Sequence, residues 1–456
     1  NSGSRHNGIG NAGVRGQLLF QADGFRLRVS ADWTEFDSDC CTQAFLRVGT
    51  SLRPAARQFP ALAGGIGYVP PSINVYDRLT DIDARLRVDT SEGGISAVGE
   101  WEFGAVSLTS VSAWRFWNWA AANDRDFTAL KIQLVQGIPS RQDQYSQELR
   151  LASARPGRLQ WVAGLYWFNQ ELRGRPVSIY GPDGAYWLLG TVPANLLDGY
   201  GQDGATRIVT DSLAVFGEAD LEIVPRLTLS AGLRYTQEAK RGRYDTFVSG
   251  GVPVTDPRLL AARLSVLRPQ SYSAALDDGS WSGRASLSWQ AADGVLVYGS
   301  AARGFKSGGI NMSGLPLDGG NRPVLATAVI EPERNTSFEA GLKSEWLDRR
   351  LQLNLAAFHT EVTDFQATIV DSRETVALRG YLSNIPKVRV RGFEADGVAA
   401  LFEGNQLRGS LAFADGVYAD YPQGPCPLER QGTATAACDL TGHRLAGLPR
   451  WSVTVG

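Results

Sequence analysis

Soft-metal and nucleophilic chemistry have little to work with in this chain, which holds 3 histidines, 4 cysteines and 1 methionine. His6, His359 and His443 lie far apart, and no Cys/His group has the spacing of a zinc site. We expect no metal centre and no histidine-based catalysis; each histidine reads as a surface or strand residue. Asp124-Arg125-Asp126 has the residue types of a cation site but reads better as a cluster of solvated loop charges. Gly304 to Gly309 is glycine-rich, yet it follows a strand with no helix to supply the dipole of a phosphate site, so it reads as a turn. What remains is recognition chemistry. Trp117, Trp119, Arg125, Tyr180, Tyr186, Trp187, Tyr200, Arg243, Tyr244, Lys306 and Arg322 lie in or beside long polar segments. Rings and cations of this kind could grip a bulky anionic or aromatic solute. Their competing role is to pack the loops against themselves.

The scaffold behind these residues is constrained by composition. A chain of 456 residues, 43% hydrophobic and 20% charged, is not disordered, and its length alone would allow about three ordinary domains. Charges of 45 Lys+Arg and 47 Asp+Glu leave a net −2, so the basic excess of a nucleic-acid-binding protein is missing. Mean hydropathy is −0.17, and no stretch approaches the roughly 18 to 20 apolar residues of a membrane helix. A helical membrane protein is thereby excluded. A membrane β-barrel is not, because its strands hide apolar residues at alternate positions.

Period-2 alternation dominates the chain. Leu227, Leu229, Ala231, Leu233 and Tyr235 alternate with Thr228, Ser230, Gly232 and Arg234, which a helix would scatter around its surface. Leu213, Val215, Gly217, Ala219, Leu221 and Ile223 alternate likewise, and only Val224-Pro225-Arg226 separates the two runs, as in a hairpin. Similar runs place seven tight turns near 22–24, 103–104, 154–158, 224–226, 291–294, 347–350 and 402–405. With a last run at 449–456 this predicts about fifteen strands of roughly ten residues.

Between the hairpins lie long Gly/Pro/aromatic segments at about 38–80, 120–142, 174–208, 241–279, 304–333, 365–384 and 421–448. Seven such loops at one end of a sheet do not suit a compact domain. They suit an all-β transmembrane antiparallel barrel with short periplasmic turns and long extracellular loops. Glu218, Asp220, Glu222, Arg234, Glu339, Lys343 and Glu345 would then line a polar lumen. Trp33, Trp101, Trp114, Trp161, Trp167, Trp289, Trp346 and Trp451 would mark the interfacial girdles.

Several later segments also match a known family. Val297 to Gly309 (VYGSAARGFKSGG) resembles the strand-to-loop motif of TonB-dependent outer-membrane receptors. Glu331-Pro332-Glu333 with Ser337 to Lys343 (SFEAGLK), Leu353 to Phe365, Asn384 to Asp396, Cys438 to Gly442, Leu448 to Trp451 and Ser146 to Leu151 are similar to that family's following pieces, in order. The resemblance implies a barrel of about 22 strands around an amino-terminal plug, with a short box that contacts TonB. On that basis residues 1–456 form one barrel domain, incomplete at both ends and without plug or box. Some three strands are expected before it and about four after it. No signal peptide is read in Asn1 to Val14, and the last strand stops without a closing element.

The implied function is TonB-coupled uptake of a scarce solute, by default a ferric-siderophore or other iron complex, with no enzyme chemistry and no cofactor. The implied partners are outer-membrane lipid, TonB and the iron complex, with a monomer in the outer membrane of a Gram-negative bacterium. A passive porin-like channel, an oligosaccharide or cobalamin receptor, and a water-soluble all-β carbohydrate-binding or hydrolytic protein are the competing readings. Cys426 and Cys438 share one loop on the oxidising side and are expected to form a disulfide. For the adjacent Cys40 and Cys41, a distant partner, a vicinal bond and a free pair all stay open. With two open edges, this stretch expressed alone is expected to misassemble.

Overall fold

A computed structural model describes residues 5–49, 53–190, 192–318, 322–370, 380–402, 404–426 and 437–456. The strands, in chain order, are β1 (Ile9–Ala22), β2 (Phe25–Ser38), β3 (Arg87–Phe103), β4 (Val106–Ala122), β5 (Gln133–Gly137), β6 (Ser140–Ser153), β7 (Leu159–Gly174), β8 (Val177–Tyr180), β9 (Tyr200–Val224) and β10 (Leu227–Gly250). They continue as β11 (Gln270–Ala292), β12 (Val295–Lys306), β13 (Gly309–Ile310), β14 (Val329–Ile330), β15 (Glu333–Trp346), β16 (Leu351–Val370), β17 (Gly380–Phe402), β18 (Asn405–Asp420) and β19 (Trp451–Val455). Among the described residues three α-helices lie between them: α1 (Phe59–Gly65), α2 (Gly184–Leu189) and α3 (Pro257–Val266).

The long strands pair antiparallel with their neighbours in an up-and-down meander from β1 to β19. The short β5 and β8 patch onto β4 and β9, and β13 with β14 forms a separate ribbon in a loop. All seven predicted tight turns are found where the alternation breaks. Gly24 and Gly104 supply the left-handed backbone, at φ 67° and 71°, that two of these turns require.

Register assigns the faces. Leu165 pairs with Val215, Val215 with Tyr235 and Tyr235 with Trp281, while Ala219, Ala231 and Ala285 form a parallel row. Each is on the apolar side of its strand, and large side chains there stand open: Leu165 is 53% exposed and Leu233 57%. Such a face is at home in lipid. Trp281 and Trp289 bracket it on β11, about 26 Å apart along the strand and about 20 Å along the membrane normal at the usual tilt. That is close to the apolar band of an outer-membrane barrel. The opposite parity carries Glu218, Asp220, Arg234, Glu339 and Lys343, as the alternation predicted.

Two expectations change. The strands are much longer than a membrane needs: β9 has 25 residues and β10 has 24, so residues 200–208, 241–250 and 270–279 of the expected long loops are paired sheet. Ladder hydrogen bonds need no apolar side chain, and the polar run Lys240-Arg241-Gly242-Arg243 continues the pairing where alternation fades. The long segments also contain helices. Asp256 caps α3 by accepting from Arg258 N at 2.8 Å, with Pro257 at the first helical position.

The packed apolar cores sit in the loop end, not in the wall. Tyr180, Ala185, Leu196, Leu197, Tyr200 and Val266 form one; Tyr244, Tyr272, Leu315 and Ala328 a second; Ile385, Val388 and Tyr421 a third. A barrel wall exposes its apolar face, so only folded loops can bury side chains on both sides.

Candidate functional site

Two surfaces can meet a solute: the lumenal wall and the folded loops around its mouth. On the wall, Arg234 lies 5.3 Å from the Tyr166 ring and 5.6 Å from that of Phe216, its neighbours on β7 and β9. Arg115 grips both carboxylate oxygens of Asp32 at 2.6 and 2.7 Å, and Arg284 donates to Glu218 at 2.6 Å. Tyr298 donates to Glu339 at 2.7 Å, with the Lys343 ammonium 5.9 Å from the Tyr298 ring. These pairs make a polar wall in which opposite charges are held across strands, suited to water and to a docked protein or solute rather than to lipid.

At the mouth, arginines and amides tie the loops down. Arg57 donates to the carbonyls of Tyr186, Trp187 and Leu188 at 3.1, 2.6 and 3.0 Å, which caps the carboxyl end of α2. Trp187 meets Phe59 edge-on at 5.8 Å, so the loop between β2 and β3 lies against that between β8 and β9. Arg263, only 6% exposed, donates to Leu196 O at 2.9 Å and Val252 O at 2.8 Å and stacks 4.7 Å from the Tyr200 ring. Asn311 donates to Thr327 O at 2.7 Å and Leu382 O at 2.9 Å, and Tyr272 donates to Asn311 O at 2.7 Å. The loop after β12 is thereby drawn over β11. At Gly308 a Cβ would stand 2.5 Å from Ile330 O, which explains glycine in the 304–309 turn motif.

Asp124 corrects the expectation of a solvated 124–126 cluster. It is fully buried, and its two oxygens accept from the backbone N–H groups of Asp83, Ala84, Asp126 and Phe127 at 3.0, 3.4, 3.2 and 2.9 Å. Oxygens of Asp83, Asp124 and Asp126 lie within 4.8 Å of one another. Burial first, then the Asp124 charge, pushes the Asp83 carboxyl up to about 6. Burial, with Asp124 and Asp83 adding to it against the Thr128 hydroxyl, pushes Asp126 up to about 7. A set this close shares protons or takes a hard cation.

The predicted recognition residues do not form one constellation. Tyr180 and Tyr200 come together, but inside the first loop core, where Tyr200 donates to Leu267 O at 2.8 Å. Tyr244 stacks on Tyr272 at 5.0 Å inside the second core. In this arrangement their rings hold loops. Trp117 and Trp119 stack at 5.9 Å on the lumenal parity of β4. Tyr186 and Trp187 ride on α2, half-buried. Arg125 and Lys306 are exposed, Lys306 on the lumenal parity of β12, and Arg322 pairs with Asp318 at 3.1 Å. Arg243 faces the outer surface beside Asp245. Reading by residue type missed Arg57, Arg263 and Asn311, because their partners are backbone carbonyls brought near only by tertiary folding. Arg234 was legible as a lumenal cation, though its two ring neighbours were not.

Cys426 and Cys438 are joined, with Cα atoms 5.0 Å apart, and Cys40 is joined to Cys41.

An antiparallel sheet with one apolar and one polar face, one short-turn rim and one rim of folded loops has the architecture of an outer-membrane β-barrel. The family model described as "TonB dependent receptor-like, beta-barrel" matches residues 16–456, and the chain belongs to that family. It is 29% identical over 133 residues to the metal-pseudopaline receptor CntO of Pseudomonas aeruginosa, a match covering 29% of this chain and 16% of that one. Among solved structures it is similar to the siderophore receptor PiuA from Acinetobacter baumannii, with TM-score 0.64, 13% identity, and coverage of 100% of this chain and 62% of that one. It is also similar to the ferric yersiniabactin uptake receptor FyuA from Yersinia pestis, with TM-score 0.61, 16% identity, and coverage of 98% and 55%. The chain thus spans less than two thirds of the length of each of these proteins. The structural likenesses establish the fold.

Proposed function

We propose that the chain is the barrel domain of an outer-membrane receptor that captures a scarce metal complex, by preference a ferric siderophore, for TonB-coupled uptake. The observation that carries this reading is the mouth: its loops fold into packed cores tied to the strand ends, which is what a fixed capture surface needs and a passive pore does not. Family membership supports it, as do relatives whose names describe siderophore and metal-complex receptors. The lumenal pairs of Arg234, Glu218–Arg284 and Tyr298–Glu339 would face a plug, and the stacked Trp117 and Trp119 would meet the solute beneath the loops. The reading is tested by titrating the purified full-length protein with ferric siderophores, oligosaccharides and cobalamin while following tryptophan fluorescence. Saturable quenching by a ferric complex supports it. Saturation by oligosaccharide or cobalamin alone, or by none of the three, overturns it.

A further inference from the structure

Across β6, β7 and β9 the upper lumenal wall carries no charge. Register sets Ser140, Gly174 and Thr206 in one row, Gln142, Leu172 and Ile208 in the next, then Gln144, Gln170 and Thr210, then Ser146, Phe168 and Ser212. On β4 the same panel continues as Trp119 and Trp117, which pair with Ser140 and Gln142. Trp114 and Trp167 stand on the outward parity of β4 and β7 as interfacial residues, so the panel begins at the level of the outer interface and rises into the mouth.

Rings and amides take the place of charge. Trp117 and Trp119 stack at 5.9 Å with their planes 12° apart, and Tyr166 stacks on Phe168 at 6.4 Å and 13°. By strand spacing and rise, Trp117 and Phe168 are about 10 Å apart across the sheet and about 13 Å apart along it. Gln142, Gln144 and Gln170 lie between the two pairs by register. Gln142 Nε2 donates to Gln144 Oε1 at 3.1 Å; among the described residues Gln142 Oε1, Gln144 Nε2 and the Gln170 amide have no partner. Half-buried amides with spare donors and acceptors, set between stacked ring pairs, suit a ligand with flat rings and polar edges.

The charges that border the panel count against an anion. Arg115 is held by both oxygens of Asp32, and Arg234, at the foot of the panel, lies against the rings of Tyr166 and Phe216. Glu148, one row below Phe168, is paired with Arg150 at 3.0 Å. Lys306, exposed on the lumenal parity, stands three strands beyond β9 on β12. Glu92 is exposed on the panel's own face, directly opposite Trp117, and has no cationic partner among the described residues. A polyanion pressed against this wall would lose its hydration with no cation to replace it, and would meet the Glu92 carboxylate.

We propose that the panel selects ferric complexes that carry flat aromatic or heteroaromatic rings and little net charge. Trp117, Trp119 and Phe168 stack on the rings, Gln144 and Gln170 bond their polar edges, and Glu92 turns polyanions away. The proposal rests on the receptor reading above and narrows its substrate class.

The test measures binding of radio-iron complexes to the purified full-length receptor by equilibrium dialysis. Three probes separate rings from charge: ferric pyochelin, whose phenolate and thiazoline rings carry little net charge; ferrichrome, a neutral hydroxamate complex without aromatic rings; and ferric enterobactin, a tris-catecholate trianion. Ferric pyochelin should bind at least tenfold more tightly than either of the others. W117A/W119A should weaken ferric pyochelin at least tenfold. Glu92→Gln should tighten ferric enterobactin about threefold or more at low salt, with the gain disappearing at high salt. Glu92 is exposed, so this second variant keeps the test open if the double variant loses its heat-modifiable folded band. Ferrichrome or ferric enterobactin binding as tightly as ferric pyochelin, or no response to Glu92→Gln, would overturn the proposal and leave the receptor reading standing. Binding of none of the three overturns the proposal as well, and the receptor reading falls with it only if a wider panel of ferric complexes also fails to bind.

Discussion

Replacing Arg263 by alanine should loosen the mouth without loosening the barrel. Its guanidinium makes three hydrogen bonds, two to Leu196 O at 3.2 and 2.9 Å and one to Val252 O at 2.8 Å, and lies 4.7 Å from the Tyr200 ring. A hydrogen bond from a charged donor contributes about 1.5–3 kcal/mol, and a carbonyl left buried without a partner costs about 1–3 kcal/mol. These terms overlap, so the substitution should cost this loop core about 3 kcal/mol. The loss is local, because the wall is held by ladders that Arg263 does not touch. At about 1.4 kcal/mol per tenfold, amide exchange in peptides from 175–199 and 251–269 should speed up by a hundredfold or more. Peptides covering 213–221 and 229–235 should keep their protection. Arg263→Lys should fall between, since one ammonium cannot reach both carbonyls in the same geometry. Unchanged exchange in both loop segments, or a uniform rise across the barrel, would refute the reasoning.

Further outcomes follow from the same structure. Ala231→Arg, at the middle of the lipid face, should destabilise the folded barrel in vesicles by about 2–4 kcal/mol, whereas Ser230→Arg on the lumenal parity should cost far less; urea titration followed by gel mobility compares them. The Asp83 and Asp126 carboxyls are raised, so the folded loop binds their protons more tightly than the unfolded chain does. The resulting stabilisation is full below the ordinary carboxylate range and is lost as pH rises through about 6 to 7; hydrogen exchange of residues 81–131 from pH 4 to pH 8 should show it, and Asp126→Asn should flatten the dependence. Cys438→Ser opens the Cys426–Cys438 loop, worth about 3 kcal/mol in the chain-entropy account, and limited proteolysis should cut 421–445 faster than in the parent.

Alternation in the sequence was enough to place the hairpins, because one-sided burial against lipid writes a period of two into residues such as Leu213 to Leu221 and Leu229 to Tyr235. Alternation fades where both faces meet water, so residues 200–208 of β9 and 241–250 of β10 read as loop in the sequence. Recognition residues were harder for a related reason. An aromatic in a polar segment serves equally to bind a solute or to fill a loop core, and Tyr180, Tyr200 and Tyr244 do the second here. Asp124 looked solvated because its charged neighbours are adjacent in sequence, while the four N–H groups that hold it come from two separate segments.

The central claim is energy-coupled capture of a ferric complex by the full-length receptor. The most direct measurement is accumulation of radio-iron from a panel of ferric siderophores in cells whose sole siderophore receptor is that protein, with and without a protonophore. We predict saturable accumulation of at least one complex, abolished when the inner membrane is de-energised. Accumulation that is unsaturable and indifferent to the protonophore, or none from any complex, would contradict the account.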